Sequence, residues 1–154
     1  MNWYLFILGS SVGKKILMAV TGLCLTGFLA VHLLGNFMAF AGPGAFNDYA
    51  AKLHSLQPYF TVFNIGLAAL GLVHIVVGTI LFFENLRARP TNYELYRNPG
   101  GRTLGSNTMP YTGALILVFV VAHLLKFTFV DKSVTPIFQL MSAAFANPWY
   151  VILY

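Results

Sequence analysis

An all-α, polytopic transmembrane helical bundle is the fold class this sequence predicts, and three observations predict it. Of the 154 residues, 58% are hydrophobic and 8% are charged, where a soluble domain is about a quarter charged. The apolar residues gather into three runs, each long enough to cross about 30 Å of hydrocarbon as a helix. Turn formers separate the runs: Gly42-Pro43-Gly44, Pro90 and Pro99-Gly100-Gly101. A chain of this length holds three complete spans plus the start of a fourth and no separate soluble domain, so residues 1–154 read as one unit.

Residues 1–11 are short, aromatic and apolar, and Gly13-Lys14-Lys15 follows. Such a segment is too short to cross, so it belongs at the interface with Trp3 and Tyr4 at headgroup level. The first span is expected over residues 16–41, with Gly22, Gly27 and Gly35 suited to close helix approach. Ala39-Phe40-Ala41 resembles a signal-peptide cleavage site. The apolar run before it exceeds the roughly 7–15 residues of a signal core, so a retained helix is expected. In the first loop, GPGAFNDYAAKLHSLQ, Asn47-Asp48 is expected to cap a short surface helix over residues 49–56. His54 on that segment reads as an interfacial histidine.

The second span is expected over residues 59–83, closed by Glu84, Arg87, Arg89 and Pro90. A polar loop with Arg97 and Arg102 leads to a third span over residues 110–130, with Pro110 at an early helix position. Asp131, Lys132 and Pro136 close it. A short interfacial helix over residues 137–147 and the opening of a fourth span over residues 148–154 complete the chain.

Sidedness follows from the basic residues. Lys14, Lys15, Arg87, Arg89, Arg97 and Arg102 fall on one side, and Lys52 and Lys132 on the other, with Lys126 near the end of the third span. The positive-inside bias then predicts a cytoplasmic N-terminus. Net charge is +5. Basic residues beside apolar runs suit anionic lipid headgroups, and no basic stripe of the nucleic-acid-binding kind is present.

Each run carries one histidine: His32, His74 and His123. An imidazole in hydrocarbon is costly and marks a functional site by default, although hydrogen bonding to a neighbouring helix is an equally good reading for any one alone. At about 1.5 Å per residue, His32 lies about 15 Å below the outer end of its span and His123 about 12 Å below its own. His74 lies about 24 Å from the outer end of the second span, nearer the cytoplasm. Two imidazoles at one level, on different helices, suit the two axial positions of a haem. His74 would hold a second haem and lacks a partner here. Gly71 and Gly78 share a face with His74, and Gly35 lies beside His32, which leaves room for a porphyrin or for plain helix packing. Lys126, three residues after His123, would snorkel outward or neutralise a haem propionate.

Several chemistries are disfavoured. Cys24 is the only cysteine, so covalent haem attachment and iron–sulfur ligation within the chain are excluded. The four carboxylates all lie at or beyond the span ends, which argues against zinc, non-haem iron and acid–base catalysis.

FLAVHLLGN at residues 28–36, AFAGPGAFNDYAAKL at residues 39–53 and the histidines of the next two spans resemble one family. It is the two-haem cytochrome b membrane anchor, of single-subunit type, of succinate dehydrogenase and fumarate reductase. The resemblance covers essentially the whole chain, and the first loop is its most specific part. It implies an electron-transfer subunit, with succinate or fumarate chemistry on another chain. A flavoprotein and an iron–sulfur subunit would dock on the cytoplasmic face of the inner membrane, and electrons would be exchanged with a membrane quinone. By position, His32 and His123 would ligate the distal haem b and His74 one side of the proximal haem b. The family has five helices and takes the fourth ligand from the fourth. A truncated sequence, or a partner chain completing the bundle, is therefore expected. For a quinone proton path, Glu84, Tyr59 and His54 are candidates by position only. Two other readings stay open: the cytochrome subunit of a formate dehydrogenase or hydrogenase, and a cofactor-free membrane scaffold.

Overall fold

In the computed structural model, residues 9–88, 103–131 and 134–154 are described. The expectations for Trp3, Tyr4, Arg89, Pro90, Arg97, Pro99-Gly100-Gly101, Arg102 and Lys132 lie outside them. The described residues are helical without strands. The helices are α1 (Ser11–Asn36), α2 (Pro43–Ser55), α3 (Tyr59–Arg87), α4 (Leu104–Phe127), α5 (Ile137–Phe145) and α6 (Pro148–Leu153), with a 3₁₀ turn over Phe37–Ala41. Three of them, at 26, 29 and 24 residues, are long and apolar enough to span a membrane. Neither α3 nor α4 contains a buried residue. Their apolar side chains require lipid or other helices as cover, since water would penalise that much exposed hydrocarbon.

Local chemistry sets the ends. Ser10 caps α1 by accepting the Gly13 N–H at 3.0 Å. After the 3₁₀ turn, Gly42 takes φ +100°, which L side chains rarely adopt, and Pro43 opens α2 at a position where its missing N–H has no consequence. The expectation that Asn47-Asp48 caps a helix beginning at residue 49 is therefore corrected. Pro43 starts the helix earlier, and Asn47 lies inside it. The third span is corrected in the same sense. Thr103 and Ser106 form a reciprocal capping box, so α4 begins at Leu104, ahead of Pro110, and ends at Phe127. Pro110 is an interior residue of that helix.

The chain divides into two compact units, residues 1–37 with 52–92 and residues 38–51 with 93–154. In the first, α1 and α3 pack antiparallel. Lys14 pairs with Glu84, Met18 meets Gly78, Thr21 and Gly22 meet His74, and the Phe28 and Phe63 ring centroids are 6.2 Å apart. As the number rises on one helix it falls on the other, which fixes the register. In the second unit, Phe46 and Ala144 are buried. Asn47 Oδ1 accepts the Phe138 N–H at 3.1 Å, giving the first turn of α5 the cap that Pro136 has no side-chain group to supply.

Candidate functional site: the intramembrane histidines

His74 projects from the middle of α3 onto α1, where two residues receive it. Thr21 Oγ1 lies 2.8 Å from His74 Nδ1 and 2.7 Å from the Leu17 carbonyl oxygen one turn back. Gly22 admits the ring: a Cβ there would fall 3.2 Å from His74 Cε1. Thr21 is the buried polar residue of this interface, 3% exposed.

Counting hydrogens assigns the tautomer. A threonine hydroxyl has one hydrogen to donate. An oxygen–oxygen approach of 2.7 Å is repulsive without a hydrogen between the atoms, so that hydrogen lies toward Leu17. Thr21 Oγ1 then accepts, and His74 Nδ1–H donates. In the neutral ring this leaves the lone pair on Nε2, the atom available to a metal. Metal-ligating histidines commonly donate their other ring N–H in this way, which fixes the ring and raises its basicity. His74, so held, fits the requirement for an axial haem ligand.

The glycines around it differ. A Cβ at Gly71 would meet nothing within 4 Å, whereas one at Gly78 would come within 3.2 Å of Met18 Cε. Gly71 borders open space. Gly78 serves helix packing, with the Met18 side chain filling the gap it leaves.

His32 lies further along α1. It stacks on Phe28 at 5.2 Å between ring centroids, and Phe28 in turn meets Phe63 of α3. Gly35, beside it, is half-buried. His32 is ten residues beyond Gly22, so the two imidazoles on this helix pair stand at levels about 15 Å apart along α1.

His123 occupies an aromatic cluster in the second unit. Its Nδ1 lies 2.8 Å from the Tyr154 hydroxyl, and its ring lies 5.8 Å from Phe119 and 5.2 Å from Phe127. Phe119, Phe127 and Phe145 present their rings edge-on to Tyr154. One turn on, Lys126 Nζ sits 5.3 Å over the Tyr150 ring, a cation–π contact. His123–Tyr154 and Lys126–Tyr150 thus form two rungs of an antiparallel contact between α4 and the C-terminal segment.

Of the residues expected from sequence, His74 meets Thr21 and Gly22, and His123 meets Tyr154. His32 and His123 belong to different compact units. Glu84 is engaged by Lys14, and the His54 ring packs edge-on against Phe60 at 5.1 Å. Tyr59 is exposed at the start of α3. Among the described residues no three of His, Cys, Asp and Glu gather as a metal cluster.

Neither Thr21 nor Tyr154 stands out in the sequence as a partner for a histidine. Seven residues separate Thr21 from Lys14 and ten separate His74 from Glu84, so the meeting of Thr21 with His74 depends on the register of the two helices and is not readable from spacing. No family model, curated protein or solved structure matches the chain.

Proposed function

We propose that this chain is the cytochrome b membrane anchor of a succinate dehydrogenase or fumarate reductase. It holds haem b and relays electrons between an iron–sulfur subunit and a membrane quinone. The observation that carries the reading is the two-level placement of imidazoles along the α1–α3 pair, His32 at one level and His74 about 15 Å away. Two such levels suit two haems stacked across a membrane. The resemblance of residues 28–36 and 39–53 to the anchor family supplies the choice of complex.

Haem b, when bound, supplies a reversible one-electron iron couple. The chain's part is to position and insulate. His74 offers Nε2 while Thr21 fixes its ring, and Gly71 leaves the adjoining helix surface open. The resemblance to the anchor family assigns His32 and His123 as candidate ligands of the outer haem. Lys126 holds its charge near the outer end of α4, over Tyr150, within a turn of His123. The cytoplasmic end of the α1–α3 pair, marked by Lys14 and Glu84, faces the flavoprotein and iron–sulfur subunits in the inner membrane.

The interhelical bond between Thr21 and His74 also suits a cofactor-free scaffold, since hydroxyl–imidazole bonds join membrane helices. One experiment separates the readings. Membranes containing the chain are treated anaerobically with succinate, formate or hydrogen while b-type absorbance is followed. Reduction by succinate, abolished together with the absorbance in His74→Ala and His32→Ala, is expected. Reduction by formate or hydrogen instead would move the chain to another quinone-linked complex. Absorbance unchanged by either substitution would support the scaffold.

A further inference from the structure

We infer that Thr21 is the positioning residue for His74: its hydroxyl accepts the Nδ1–H, so Nε2 is presented as the metal-ligating atom and its donor strength is set from α1. The inference rests on the haem-binding reading for the identity of the metal, but its tautomer claim concerns this chain alone.

Three features single out Thr21. It is 3% exposed, and its partner helix α3 contains no buried residue. Its single hydrogen is committed to the Leu17 carbonyl, which leaves the oxygen as an acceptor toward the ring. Its neighbour Gly22 removes the side chain that would otherwise keep the imidazole from closing on that oxygen. A valine has the same shape and lacks the oxygen, and a serine keeps the oxygen. The pair therefore separates hydrogen bonding from packing. Donation from Nδ1–H shifts electron density toward Nε2, which favours the ferric state of a bound haem. Losing the bond should raise the midpoint potential of the His74-dependent haem, and Thr21→Ser should restore it.

The test has two readouts. In the first, the full chain carrying ¹⁵N-histidine is reconstituted in lipid nanodiscs, and the His74 ring nitrogens are assigned through His74→Gln. A protonated Nδ1 in the wild type and in Thr21→Ser, with mixed tautomers or a lost Nδ1–H bond in Thr21→Val, is expected. A protonated Nε2 in the wild type, or a Thr21→Val spectrum identical to wild type, would overturn the inference. In the second, potentiometry follows the absorbance that His74→Ala removes. A more positive potential in Thr21→Val, reversed in Thr21→Ser, supports the inference, and an unchanged potential overturns the electronic part of it. The tautomer of His74 and the binding of haem are tested separately. The expected tautomer in a chain that binds no haem would end the cytochrome reading and leave Thr21 its role. A haem bound through His74 but indifferent to Thr21 would do the reverse.

Discussion

A Cβ placed on Gly22 falls 3.2 Å from His74 Cε1, while one on Gly71 meets nothing within 4 Å. These glycines, both near the same imidazole, should therefore answer differently to a side chain. Gly22→Val presses on a ring already held at Nδ1, and overpacking of this kind costs about 1–3 kcal/mol. A lower thermal midpoint in nanodiscs, together with a perturbed His74-dependent haem spectrum, is the expected outcome. Gly71→Leu builds out from a Cβ that meets nothing within 4 Å, so insertion and thermal midpoint should hold. If the open surface beside Gly71 faces porphyrin, haem content falls nonetheless, and unchanged content would assign that surface to lipid. The histidines were legible as residues because each interrupts an apolar run. Their partners were less so: Thr21 reads as an ordinary helix residue until the register with α3 is known, and that register is a tertiary fact.

At the scale of elements, the spans were legible and their ends less so. A run of apolar residues longer than the hydrocarbon is thick signals a membrane helix whatever it packs on. Its ends depend on a few polar contacts in the interface, and there local rules competed. Pro110 is a good opening residue, yet the Thr103–Ser106 box starts α4 earlier. Asn47 is a good capping residue and does cap a helix, but α5 and not its own, through a bond to a residue 91 positions away. Asn47→Ala should consequently leave α2 intact and loosen the first turn of α5. The loss of such a cap costs about 1 kcal/mol. Hydrogen exchange at the Phe138 amide in nanodiscs is expected to accelerate, with the amides of α2 unchanged. Equal acceleration in both helices would show that Asn47 acts locally.

Within the first compact unit, the placement of Lys14 and Glu84 and of His32 and His74 follows from the antiparallel pairing of α1 with α3. Lys14 and Glu84 meet at one end, so the start of α1 and the end of α3, with Lys15 and Arg87, share a side. With these basic residues beside it, that end is the one we propose to be cytoplasmic. In a Cys24→Ser background, Lys15→Cys should react with an impermeant maleimide in inverted vesicles and not in intact cells. The opposite pattern would reverse the proposed orientation. Function depends on whether the imidazoles ligate iron, and haem per chain measures this most directly. The full chain is purified from membranes and its haem b determined by pyridine haemochrome, in the wild type and in His32→Ala, His74→Ala and His123→Ala. Haem b in the wild type, reduced by substitution at each histidine while the protein remains inserted, is the predicted result. Inserted wild-type protein without haem, or haem content indifferent to all three substitutions, would contradict the account.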